Sequence, residues 1–307
     1  MFLMISGALL LPRDYTGEGK LRRFVKHNWL SLLITTELWL FIMYWYRQLS
    51  PDSTLLTKGI GISILNSIST LLFINPDTMG SMWYMEMILC VYLLIPILSI
   101  SLKKIPSKYF LLPFSIVIIH SYIIPVINGV LTGLGSKVEI NFLLESSNIF
   151  STYIIFLMFG YFISQGCLKR IRTISMLLIM LFSFLLFVGL QIWVWSTPYD
   201  YEFANSYKDL FILLIASCIF EILQRLEIHD LVKVISGQLA QISFGIYFIH
   251  ICIMTGLKQI MESQFPNIVY LQKFFILETI SFLGSIVIIL LLKKNKYIAK
   301  YLFGIKD

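Results

Sequence analysis

Apolar runs of membrane-crossing length recur along this chain, with short basic clusters between them. A hydrocarbon core about 30 Å thick takes roughly 20 residues of helix, at about 1.5 Å per residue. Nine stretches fit this pattern to differing degrees: Met1–Leu11, Trp29–Tyr46, Met82–Ser101, Tyr109–Ile127, Ile149–Ser164, Ile174–Trp195, Tyr207–Gln224, Leu239–Leu257 and Phe274–Leu292. Hydrophobic residues make up 58% of the chain and charged residues 13%, about half the charged share of a soluble domain. So little polar surface cannot face water. The fold class is therefore all-α, a polytopic integral membrane helical bundle of about nine transmembrane helices, read as a single membrane-embedded domain over 1–307.

Basic residues set the topology. A tenth apolar stretch, Ile60–Ile74, is shorter, rich in Ser and interrupted by Gly61 and Asn66. If it does not span, 18 of the 24 Lys and Arg residues lie on one side and six (Arg47, Lys58, Lys137, Lys208, Lys258 and Lys273) on the other. If it did span, the first basic cluster of five would oppose the remaining 13. The positive-inside rule favours nine spans and a cytoplasmic C-terminus in a multi-pass protein of the cell membrane. Ile60–Ile74 is then an external, interfacial or re-entrant segment. The net charge of +7 lies in these inter-span clusters and not on one face, so no nucleic-acid partner is expected. Cys90, Cys167, Cys218 and Cys252 show no metal or disulfide spacing, and no metal site is expected.

On this topology Met1 begins on the outer side, within a run whose 11 residues reach about 17 Å of helix. Nothing basic precedes that run and no small-residue cleavage site follows it, so it does not read as a signal peptide. The expectation is an N-terminally truncated chain that lacks a first helix starting in the cytoplasm.

Ionisable groups inside a span are costly and so are functional candidates. His120 and His250 lie well inside their runs; Glu37, Glu86, Glu221 and Glu278 lie within or near the ends of others. Each His could act as a general base or simply hydrogen-bond a neighbouring helix. Glu86 could face a polar cavity or snorkel outward. Glu221 reads as an ion-pair partner of Arg225. The basic loop with Arg22, Arg23 and Lys26 could bind a phosphate or merely mark topology. Trp83, Trp193 and Trp195 sit where interfacial belt residues sit. The residues alone stop at a multi-span protein with a few buried polar groups, which fits a transporter, a flippase or an intramembrane enzyme.

Three stretches resemble the acyltransferase-3 family of membrane O-acyltransferases, in particular the branch that modifies surface polysaccharides. Phe2-Leu-Met-Ile-Ser6-Gly7, followed by Arg22-Arg23-Phe-Val-Lys26, is similar to the family's Phe-x-x-x-Ser-Gly helix and the Arg-x-x-Arg-type loop after it. The present Arg23-x-x-Lys26 keeps the charge and loses one guanidinium fork. Met82-Trp83-Tyr84-Met85-Glu86, running on to Tyr92-Leu-Leu-Ile-Pro96, is similar to a Trp-Tyr/Phe-Leu segment that leads to Tyr-Leu-x-x-Pro. Ser243-Phe-Gly245-Ile-Tyr247-Phe248-Ile-His250 is similar to a late Ser-x-Gly-Ile-Tyr-Leu-x-His helix, with Phe248 for Leu.

The resemblance implies ten helices with both ends cytoplasmic, the first of them missing here. It implies acyl-CoA, usually acetyl-CoA, as donor substrate, no permanently bound cofactor, and a surface polysaccharide or lipid-linked sugar as acceptor. Arg22, Arg23 and Lys26 are the implied acyl-CoA phosphate ligands. Ser6, Trp83, Glu86, Tyr247 and His250 are the implied pore and acceptor-site residues. The family's catalytic His belongs to its first helix, so no catalytic residue is named here and His250 does not inherit that role. The expectation is an enzyme fragment that is inactive as it stands. The rivals are a polysaccharide or lipid transporter or flippase, which would show two similar halves, and a degenerate non-catalytic membrane protein. Membrane lipid is a partner under every reading.

Overall fold

A computed structural model describes residues 1–48, 60–71, 82–106, 108–138, 140, 149–199, 209–265 and 268–305. Lys58, Lys208 and Lys306 of the charge count, positions 72–74 of the tenth apolar stretch, and Tyr207 lie outside the described residues. Every regular element among the described residues is a helix: α1 Phe2–Leu10, α2 Glu18–Gln48, α3 Ile60–Leu71, α4 Trp83–Lys104, α5 Lys108–Gly133, α6 Ile149–Ser164, α7 Thr173–Trp195, α8 Leu210–Arg225, α9 Asp230–Gln264, α10 Tyr270–Leu292 and α11 Lys296–Phe303. In hydrocarbon no water serves backbone N–H and C=O groups, and helix satisfies them within one segment. All nine expected spans fall on helices. Six of those helices (α2, α4, α5, α7, α9 and α10) are long and apolar enough to cross a membrane. The helices on the other three expected spans are shorter, with 9 residues in α1 and 16 each in α6 and α8.

The chain divides into two compact units: residues 1–22 with 90–227, and residues 23–89 with 228–307. In the first unit α1 packs on α6, backbone against backbone. A Cβ added at Gly7 would sit 1.8 Å from the Leu157 carbonyl oxygen, and one added at Gly160 would sit 2.0 Å from that of Met4. Only glycine permits this approach, the small-residue packing that joins helices within lipid. Pro12 follows the end of α1 and cannot continue its hydrogen bonding. The Arg13 Nε–H donates to Leu9 O and the Tyr15 hydroxyl to Leu10 O, both at 3.0 Å, and so serve carbonyls that the helix end leaves unpaired. α5 meets α6 through Phe114 on Phe159 and Tyr122 on Phe156. A π turn at Ile119–Ile123 interrupts α5 just before Pro125, where the missing proline N–H leaves the ladder one bond short. α5 continues past the expected end Ile127 to Gly133, whose open side faces the Trp193 ring of α7. Trp193 is therefore a packing residue as well as a belt residue. At the end of α8, the Arg225 Nε–H donates to the Glu221 carboxylate at 2.7 Å, as its sequence position indicated. The other two guanidinium nitrogens donate to Ile171 O and Leu168 O, each at 2.8 Å.

In the second unit the contacts fix chain direction. Trp39 stacks on Phe248 at 4.9 Å, and the Tyr46 hydroxyl donates to Cys252 O at 2.7 Å, so α2 and α9 run parallel. Gly284 faces Ile253 and Gly245 faces Ile289, so α10 runs back along α9. Tyr84 meets Tyr247, and Trp29 Nε1–H donates to Leu89 O at 3.0 Å. The start of α4 therefore runs opposite to α2 and α9. α3 has 12 residues, about 18 Å of helix, and the positions on either side of it, 49–59 and 72–81, lie outside the described residues. α3 buries Ser63 and Ser67 and exposes Ile64, Leu65 and Ile68, the reverse of a water-soluble helix. α10 likewise buries Ser281 and Ser285 while exposing Phe275, Leu283 and Leu291.

Gly7→Ala and Gly160→Ala each force a methyl group into a backbone, so each is expected to cost at least the roughly 1–3 kcal/mol of overpacking. Gly189 has nothing within 4 Å of an added Cβ, and Gly189→Ala should instead gain about 0.5–1 kcal/mol of helix stability. Thermal unfolding in detergent checks both signs.

Candidate functional site

α1 and α4 present the first group of expected site residues in the first unit. Gly7 faces α6, and its neighbour Ser6 turns toward α4. The Ser6 Oγ lies 3.1 Å from the Tyr92 hydroxyl oxygen. Further along α4, the fully buried Ser99 donates its hydroxyl to Arg13 O at 2.6 Å. Ser6 is thus engaged in holding α1 to α4, and the residue is half-buried.

The second group lies in the second unit, on the start of α4 and the middle of α9. One turn of α9 sorts its side chains by face. Phe248 and Ile249 are buried, whereas Tyr247 and His250 are three positions apart and only half-buried. Their rings lie 6.0 Å apart. Tyr84 of α4 reaches the same face, 5.9 Å from Tyr247, and Trp83 stands edge-on to Tyr84 at 5.9 Å. The structure therefore brings the Trp83 stretch and the Tyr247–His250 stretch together, through Tyr84. Glu86 is one turn along α4 and half-buried. Among the described residues its carboxylate has no salt-bridge partner.

His250 bonds to its own helix, whereas one of its two sequence readings was a bond to a neighbouring helix. Its Nδ1 lies 2.8 Å from Ile246 O. A carbonyl oxygen only accepts, so the proton in this bond sits on Nδ1. In the neutral ring Nε2 then carries the free lone pair. Behind this face, Phe248 stacks on Trp39 with an interplanar angle of 3°, and Trp39 Nε1–H donates to Leu302 O at 2.7 Å. Gly245 is open toward Phe303, whose Cδ1 would lie 2.8 Å from an added Cβ. The Trp39 pillar holds the orientation of the α9 face that carries Tyr247 and His250.

The phosphate-ligand candidates lie at the start of α2. Arg22, Arg23 and Lys26 are all exposed and, among the described residues, have no ion-pair partner. A π turn at Val25–Trp29 follows Arg22 and Arg23 and contains Lys26, with no proline to explain it. Lys20 is different, because its ammonium is held by Asp14. Hydrogen bonds from Lys20 and from the Thr16 hydroxyl and amide hold the Asp14 carboxyl well below the usual carboxylate range. The loop thus neutralises Lys20 and leaves the three candidate cations free. Among the other ionisable candidates, His120 sits in the π turn of α5 and Glu221 is committed to Arg225.

Sequence reasoning did not single out Tyr84, Tyr92 or Trp39. The two tyrosines lie inside a quoted motif, but aromatic residues near a span end also fit an interfacial belt, which masks any other role. Asn128 lies near the end of α5. Its side-chain amide closes on Ile140 through bonds of 3.0 and 2.9 Å.

Comparison with known families finds one model, described as an acyltransferase domain, that matches residues 1–294. No curated protein and no solved structure matches the chain.

The Ser6–Tyr92 bond predicts a coupled pair. Ser6→Ala and Tyr92→Phe should each cost about 1 kcal/mol, and the double variant should cost little more than either. A double-mutant cycle on thermal unfolding in detergent checks this; simple additivity would count against the bond.

Proposed function

The chain belongs to the acyltransferase-3 family, and from that premise we propose that it handles acyl-CoA as donor. The acyl group, acetyl by family resemblance, moves to a hydroxyl of a cell-surface polysaccharide or its lipid-linked precursor. The observation that most supports this reading is the Tyr84–Tyr247 contact, which sets the second and third family stretches side by side beside His250.

Each group has a chemical task under this reading. Arg22 and Arg23 offer planar forks to CoA phosphates and Lys26 adds a point charge. The half-exposed rings of Trp83, Tyr84 and Tyr247 offer apolar faces with polar edges, which suit a sugar ring. Glu86 accepts hydrogen bonds from sugar hydroxyls, and Nε2 of the neutral His250 can do the same. Ser6 holds the α1–α4 joint. In the transfer, the acceptor oxygen bonds to the thioester carbonyl carbon and the C–S bond breaks. The hydroxyl proton ends on the departing sulfur, so that CoA leaves as the thiol. No side chain is assigned as the base for that proton. The protein sits in the cell membrane with its C-terminus on the cytoplasmic side, where acyl-CoA is made.

Donor binding tests the proposal without requiring turnover. The purified protein in detergent should bind acetyl-CoA saturably, with free CoA as a competitor. The triple variant Arg22→Gln/Arg23→Gln/Lys26→Gln should bind roughly tenfold or more weakly, since one charge-assisted bond contributes about 1.5–3 kcal/mol. No saturable binding in titration calorimetry, or equal binding by the variant, contradicts the proposal.

A further inference from the structure

The C-terminal helix α11 has a composition that the acyl-transfer reading leaves unused. It is independently capped at both ends. The Asn295 carboxamide oxygen accepts from the Tyr297 and Ile298 amides at 2.9 and 3.3 Å, and Gly304 ends the helix with a left-handed φ of 62°. Its two faces differ sharply. Ala299 and Phe303 are buried, with Phe303 against Gly245 and 6.4 Å from Trp39. Lys296, Tyr297, Lys300 and Tyr301 are exposed, and Lys293 and Lys294 precede them at the end of α10, also exposed. From Ser281 to Ile305 the sequence holds no acidic residue. Among the described residues none of these four ammonium groups lies within ion-pair distance of a carboxylate. Lys300 lies over the Tyr301 ring, 5.2 Å from its centroid.

The height of α11 on the bundle is also set. Ile289, three residues before the end of α10, lies opposite Gly245 of α9. α9 has 35 residues, about 52 Å of helix, against about 30 Å of hydrocarbon. Its first turns, from Asp230 through Gln238, are exposed and extend past the end of α10. α11 therefore lies at the level where a membrane-length helix leaves the hydrocarbon, which is the headgroup layer.

We propose that α11, with Lys293 and Lys294, is a docking surface for anionic phospholipid headgroups. Its lysines meet lipid phosphates, and its tyrosines sit at the interface. Phe303 ties the helix to the Gly245–Trp39–Phe248 packing behind the His250 face. Lysine and aromatic residues on the outer side of an interfacial amphipathic helix are the chemistry that recognises an anionic leaflet. This inference is independent of the acyl-transfer reading.

The whole chain, purified in a neutral detergent, is titrated with short-chain phosphatidylglycerol, phosphatidylcholine or inorganic phosphate while its thermal unfolding is followed. Phosphatidylglycerol should raise the midpoint and bind about tenfold or more tightly than phosphatidylcholine. Lys293→Gln/Lys294→Gln/Lys296→Gln/Lys300→Gln should lose that preference and unfold at the wild-type midpoint without lipid. Lys258→Gln/Lys273→Gln, with the same chemistry at the other end of the α9–α10 pair, should keep it. Equal effects of the two lipids overturn the proposal, as does an equal effect of inorganic phosphate. Undiminished preference in the quadruple variant, or equal loss in the control, also overturns it.

Discussion

A polar group in hydrocarbon has no water to turn to and must find its partner inside the protein. This constraint explains most of the side-chain bonds along these helices. Thr35, Thr36, Ser217, Thr255 and Ser285 each donate a hydroxyl to the carbonyl four residues earlier. Side-chain bonds that join elements serve α4 along its length. Trp29 donates to Leu89 O, Ser6 pairs with Tyr92, and Ser99 donates to Arg13 O. α4 is also the helix that passes from one compact unit into the other. Each unit thus uses its own part of α4 to satisfy groups that lipid would leave bare.

The same constraint separates structural from chemical duties within the family-like stretches. Gly7 is there because the Leu157 backbone lies against it, and Gly245 because Phe303 and Ile289 do. Phe248 is there to stack on Trp39. Tyr247 and His250 are half-buried, and across from them Trp83 is exposed while the Tyr84 hydroxyl is buried. His250 is the clearest case. The bond from its Nδ1 to Ile246 O uses one ring nitrogen to fix the ring on its own helix. A motif of eight residues in α9 therefore divides into buried packing positions, such as Gly245 and Phe248, and half-buried ones, such as Tyr247 and His250.

Much of this was legible in the sequence, because lipid forces one pattern. α7 runs Thr173–Trp195 where the apolar run reads Ile174–Trp195, and α4 starts within a residue of its expected start. The charge bias sets the tenth apolar stretch apart from the spans, and α3 within it has only 12 residues. Other features left no such trace. α9 starts nine residues before its apolar run because Asp230 to Gln238 suit a helix in water as well as in lipid. The π turns in α2 and α5 change no residue pattern. The division into two units and the Tyr84–Tyr247 and Ser6–Tyr92 pairs depend on contacts between distant residues, which one sequence does not record. Tyr84 in particular was hidden by the ease with which a tyrosine near a span end is read as a belt residue.

The central claim is that α4 receives the first family stretch at Tyr92 and the third at Tyr84. Cross-linking in native membranes tests it most directly. In a background with Cys90, Cys167, Cys218 and Cys252 replaced by Ala, a short bifunctional thiol reagent is applied to two cysteine pairs, Ser6→Cys with Tyr92→Cys and Tyr84→Cys with Tyr247→Cys. Both pairs should link within one chain, and the exchanged pairs, in which one position is moved about two turns along its helix inside the same unit, Ser6→Cys with Ser99→Cys and Tyr84→Cys with Thr255→Cys, should link far less. Failure of the two named pairs, or equal linking of the exchanged ones, would contradict the account.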